Sequence, residues 1–120
     1  MSLEGKSGNF TSPNYPLSYP SSTTCRWIIK VPEGYKVQLI FEMFLLETCA
    51  VPKLCLCDHV EVRDGDDADS EKLGKFCGST TPSPVESTGR FMWIEFDSDS
   101  RSNKAGFRAT YTAVGKHLSC

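Results

Sequence analysis

The amino-acid sequence predicts an all-β fold, an antiparallel β-sandwich. Two segments, Tyr35–Phe44 and Phe107–Val114, alternate apolar and polar residues with the period of two that a half-buried strand needs. The alternating runs are short and punctuated by proline, glycine and aspartate. No window sustains an i, i+3, i+4, i+7 apolar stripe with helix-capping signals.

The elements follow in chain order. Met1-Ser-Leu-Glu-Gly-Lys6 reads as a cloning remnant, the domain proper spans residues 7–114, and residues 115–120 form a C-terminal tail. Between Gly8 and Pro20, the prolines Pro13, Pro16 and Pro20 fix φ and bias the preceding residues toward extended conformations, which excludes a helix. Tyr15 and Tyr19, each followed by proline, are expected on a stiff, extended ribbon. Thr24–Val31 is a strand with Trp27 and Ile29 on one face and Arg26 and Lys30 on the other. Pro32-Glu-Gly-Tyr35 supplies a turn. In Tyr35–Phe44, the residues Val37, Leu39, Phe41 and Met43 are predicted to face the core. Asp58–Arg63, with Val60 and Val62 inward, and Phe91–Phe96 are two further strands. In Phe107–Val114 the inward set is Phe107, Ala109, Tyr111 and Ala113. The predicted core therefore includes Trp27, Leu39, Phe41, Phe107 and Tyr111.

At 120 residues, the chain has the length of one domain with a real core. Its 39% apolar content is too high for disorder. The net charge of −2, with no basic block, excludes the electrostatic footprint of a nucleic-acid binder. No apolar run approaches the roughly 20 residues that span a bilayer. There is no signal-peptide apolar region, so export would require a leader already removed. Six cysteines, together with the sequon Asn9-Phe-Thr11, point to an oxidising, extracellular setting with Asn9 as a glycosylation site. Cys49, Cys55, Cys57 and His59 crowd together, but spacings of five and one lack the paired knuckles of a structural zinc site. Disulfides fit the cysteines better.

Asp64-Gly-Asp-Asp-Ala-Asp69 imitates the opening of an EF-hand loop. Its sixth position is Asp69 rather than glycine, its twelfth is Lys75 rather than glutamate, and no flanking helices are readable. It is a charged turn. Neither His59 nor His117 falls in a spacing that suggests a nucleophile–base arrangement, so a catalytic role is not expected.

Six elements in order resemble one family. They are Gly8-x-Phe-x-Ser-Pro-x-Tyr-Pro-x-x-Tyr-Pro20, Cys25-Arg-Trp27 with Val31-Pro-Glu-Gly-Tyr35, and Cys55-x-x-Asp58-x-Val-x-Val62. After them come Gly74-x-x-Cys77-Gly78, Phe96-x-Ser98-Asp99 and Gly106-Phe-x-Ala-x-Tyr111. From Ser7 to Val114 the chain resembles CUB domains, extracellular modules of complement proteases and tolloid-like proteinases. That resemblance implies a jelly-roll β-sandwich and a Cys55–Cys77 disulfide. It departs from the family pattern in lacking a cysteine before the opening glycine and in a long Cys49–Cys57 loop. The spare cysteines are Cys25, Cys49, Cys57 and Cys120, whose pairing the sequence leaves open; the expected bridges are Cys49–Cys57, which bracket that loop, and Cys25–Cys120.

The resemblance also implies calcium. Glu47, Asp58 and Asp99 match the family's ligand carboxylates, Arg101 its main-chain carbonyl ligand, and Tyr19 a tyrosine that supports the glutamate. Calcium takes six to eight hard oxygens, which acids from three separate loops can supply. The function implied is a calcium-dependent protein-binding module, non-catalytic, secreted or on the outer face of a cell-surface protein. Its partner would be an extracellular protein that inserts a lysine or arginine; a second copy of the chain, as a homodimer, is a further candidate. The alternatives are a spermadhesin-like carbohydrate- or glycosaminoglycan-binding module and a spacer domain.

Overall fold

The computed structural model describes residues 1–47, 55, 57–99 and 104–115, and these contain strands and turns without a helix. The strands are β1 Ser2–Glu4, β2 Ser7–Thr11, β3 Thr24–Lys30, β4 Tyr35–Leu45 and β5 His59–Asp64, followed by β6 Glu71–Phe76, β7 Val85–Glu86, β8 Phe91–Asp97 and β9 Gly106–Gly115. They form two sheets, one ordered β1-β3-β8-β5-β6 and the other β2-β9-β4-β7. The strands β3, β4, β5, β8 and β9 are the five the sequence predicts. Four others carry no alternating signal: β6 is a charged edge strand, β7 has two residues, and β1 and β2 hold few apolar side chains.

The leading segment belongs to the sheet. Ser2–Glu4 pairs in parallel with Ile28–Lys30 and, among the described residues, is the one parallel pair beside otherwise antiparallel neighbours. Leu3 packs against the core, so residues set outside the domain by sequence form its first strand.

The two sheets face each other across a core that both sets of inward residues fill. Phe107 is its hub. Its ring lies 5.8 Å from Trp27 and 5.7 Å from Phe96 in the five-stranded sheet, and 5.9 Å from both Phe10 and Phe41 in its own sheet. Such offset and edge-on pairs add about 0.5–1.5 kcal/mol each beyond the area they bury. Trp27, Leu39, Phe41, Phe107 and Tyr111 are all buried.

Three expectations need correction. In β4 the predicted inward residue Met43 is only half-buried, while Phe44 is buried instead. The register against β9 shifts between Phe41 and Met43, and this bulge turns the following residues over by one position. The Tyr–Pro segment is not an extended ribbon. Tyr15 N–H donates to the Ser12 carbonyl at 3.3 Å and Leu17 N–H to the Asn14 carbonyl at 2.7 Å, with Asn14 at φ 65°. A left-handed asparagine folds the chain on itself despite the fixed proline φ values.

The third correction concerns Cys25, which is a free thiol rather than the partner of Cys120. Cys25 pairs in register with Phe96, at the end of the sandwich where β9 begins. From Phe107, β9 runs about 26 Å to Gly115, at roughly 3.3 Å per residue. The five residues beyond it span at most about 18 Å. Cys120 itself, and the expected partner Cys49, lie outside the described residues. Cys57 is disulfide-bonded, and Cys55 is bridged to Cys77 as the resemblance implies.

A candidate metal centre at one end of the sandwich

Two connections at the same end of the fold carry the acidic residues, β4–β5 with Glu47 and Asp58 and β8–β9 with Asp99. β4 ends at Leu45, and Leu46 N–H donates to the Gly78 carbonyl at 2.9 Å, which sets Glu47 beside the start of β5. Asp58 immediately precedes β5, which the Cys55–Cys77 bridge anchors. Asp99 follows β8, and His59 pairs with Asp97, so the strand register itself brings Asp58 and Asp99 together.

Asp58 is the centre of the arrangement. It is fully buried. Its Oδ1 accepts the Asp99 backbone N–H at 2.8 Å, and its Oδ2 accepts the Tyr19 hydroxyl. Tyr19, itself buried, accepts the Glu47 backbone N–H at 3.1 Å. Tyr19 thus supports the Asp58 carboxylate and the Glu47 main chain, whereas the resemblance assigned it to the glutamate alone. Burial is the largest influence on Asp58 and pushes its carboxyl above the ordinary range. The Asp99 charge adds to that, and the bonds from Tyr19 and Asp99 N–H oppose it. Burial, then the bond to Asp58, likewise raises the Tyr19 phenol.

The outer part of the site is formed by Glu47, Cys57 and Asp99, one ligand atom of each lying within 4.8 Å of the others. Glu47 Oε1 is shielded from solvent. Because the Cys57 sulfur is tied up in a disulfide, it offers no thiolate, and the remaining donors are carboxylate oxygens. A hard, all-oxygen donor set of like charge suits calcium and does not suit zinc. Arg101 lies outside the described residues.

One contributor carried no signal in the sequence beyond its place in the Phe96-x-Ser98-Asp99 motif. Buried Ser98 donates its hydroxyl to the Pro20 carbonyl at 2.7 Å and accepts the Thr23 N–H at 3.0 Å. Ser22 N–H donates to the Asp99 carbonyl at 2.7 Å. These bonds tie the loop bearing Asp99 to the segment bearing Tyr19. Gly106 completes the packing. Its φ is +96°, and a Cβ there would collide with Ser12 Oγ and come within 3.2 Å of Tyr19 Cδ2.

The CUB domain family model matches residues 1–111. The chain is 41% identical over 109 residues to the bone morphogenetic protein 1 homolog of Strongylocentrotus purpuratus, covering 91% of this chain and 17% of that protein. Among solved structures it is similar to the MASP-1 CUB2 domain bound to Ca2+, at a TM-score of 0.82 and 34% identity, covering 93% of this chain and 96% of that one. It is also similar to the full extracellular region of zebrafish Gpr126/Adgrg6, at a TM-score of 0.83 and 38% identity, covering 96% of this chain and 14% of that one. It thus spans a small part of the larger relatives it matches. Motifs, sandwich and similarities agree, and this chain belongs to the CUB domain family.

Proposed function

We propose that the domain is an extracellular, calcium-dependent protein-binding module of a larger secreted or cell-surface protein. The observation that carries this reading is the convergence of Glu47 and Asp58, from the two ends of the β4–β5 connection, with Asp99, from the β8–β9 connection, beside the Tyr19 hydroxyl. Ionising a fully buried Asp58 beside two more carboxylates is costly unless a cation offsets the charge. Calcium would neutralise the cluster and pin its loops. Glu47, Asp58 and Asp99 would hold it by carboxylate oxygens and Arg101 by its main-chain carbonyl. Tyr19 holds Asp58 in place from behind.

Carboxylate oxygens left over on such a rim accept a lysine or arginine from a partner protein. Charge-assisted hydrogen bonds to groups already fixed cost little further ordering. The similarity to the calcium-bound MASP-1 CUB2 domain supports the metal, and the extracellular relatives support the compartment. The test is a thermal melt in chelator and in millimolar calcium. Stabilisation by calcium is expected, since a ligand at 100 times its Kd contributes about 2.7 kcal/mol. An unchanged melting temperature would overturn the metal and move the spermadhesin-like or spacer reading ahead.

A further inference from the structure

We propose that Asn9 carries an N-linked glycan, and that this glycan shields the β2 edge of the four-stranded sheet together with the outer face beside it. Asn9-Phe10-Thr11 is the only N-x-S/T tripeptide in the chain. It lies on β2, the outermost strand of that sheet. The two-residue period of β2 turns Phe10 into the core and leaves Asn9 exposed on the outer face.

The edge itself needs covering. An unpaired edge strand offers its backbone N–H and C=O groups to any other strand, and proteins blunt this with charge, proline or shortness. The other edge strands have such devices: β6 carries Glu71, Lys72 and Lys75, β1 carries Glu4, and β7 has two residues, one of them Glu86. Ser7-Gly-Asn-Phe-Thr11 has five residues, no charge and no proline. The exposed face beside it is also partly apolar. Asn9 pairs with Thr110, and Thr110 with Ile40, which is 37% exposed and one of three exposed large apolar residues among those described. At strand spacings of 4.7–4.9 Å, Ile40 lies about 10 Å across the sheet from Asn9. The first sugars of a glycan on Asn9 reach over Thr110 to Ile40.

The donor is a lipid-pyrophosphate-linked oligosaccharide in the secretory compartment. Asn9 Nδ2 bonds to the anomeric carbon, the bond from that carbon to the pyrophosphate oxygen breaks, the lipid pyrophosphate leaves, and the amide gives up one proton. None of this depends on the calcium reading.

The test is to secrete the chain from animal cells behind a leader peptide and treat the folded product with peptide N-glycosidase. Loss of glycan mass with conversion of Asn9 to aspartate is expected; a secreted chain with unmodified Asn9 overturns the site. Thr11→Ala should abolish the modification while keeping the asparagine, and Asn9→Gln serves if that variant is poorly secreted. In sedimentation, the unglycosylated variant should self-associate at concentrations where the glycosylated chain is monomeric. Adding Ile40→Lys should reduce that association. If glycosylated and unglycosylated chains sediment alike, the covering role falls.

Discussion

Tyr19 donates its hydroxyl to the carboxylate of Asp58, a residue 39 positions further along the chain. Both side chains are buried, and the same phenol oxygen receives the backbone N–H of Glu47. One aromatic residue from a proline-rich turn therefore fixes the acidic end of the sandwich.

Tyr19→Phe removes that donor and leaves a fully buried carboxylate with one bond fewer. A buried polar group that loses its partner costs about 1–3 kcal/mol. The expected outcome is a lower melting temperature in both chelator and calcium, together with weaker calcium binding by titration. Wild-type behaviour would show that Tyr19 contributes packing alone.

Asp99→Ala separates metal from fold. It removes one carboxylate at the rim while leaving the strands untouched. Calcium binding should weaken strongly and binding of a basic partner should be lost. In chelator the variant should melt close to wild type, because only the stabilisation linked to bound calcium is forfeited. A deep loss of stability in chelator would mean that Asp99 is a structural residue.

Gly106→Ala tests the seam between site and core. The φ of +96° strains any residue with a Cβ, and that atom would collide with Ser12 Oγ. Destabilisation of more than about 1 kcal/mol is expected from denaturant unfolding. Phe107→Ala, one residue on, deletes the hub of the aromatic core and should cost about 3–5 kcal/mol. Near-neutral results would refute the packing described for either position.

Thiol labelling distinguishes the cysteines. Cys55 and Cys77 should resist alkylation until reduced, and breaking their bridge should cost about 3 kcal/mol for a loop of this size. Cys25 should label, but slowly at neutral pH, because burial raises its thiol pKa and keeps it protonated. Rapid labelling of Cys55 or Cys77 in the native chain would contradict the bridge.

The alternation of Val37, Leu39 and Phe41 and of Phe107, Ala109 and Tyr111 determined the fold class, since period-two patterning leaves one buried face and therefore a second sheet to cover it. The family resemblance carried by the motifs likewise pointed to Tyr19, Glu47, Asp58, Asp99 and the Cys55–Cys77 pair. Only the tertiary structure decided which of these touch. The register of His59 with Asp97 sets Asp58 against Asp99, and the folded Tyr–Pro segment delivers Tyr19 to Asp58. The bulge after Phe41, the strand at Ser2–Glu4 and the free thiol of Cys25 were equally illegible. Each depends on which distant backbone lies alongside, and local pattern records a residue's preference for burial without recording its neighbour.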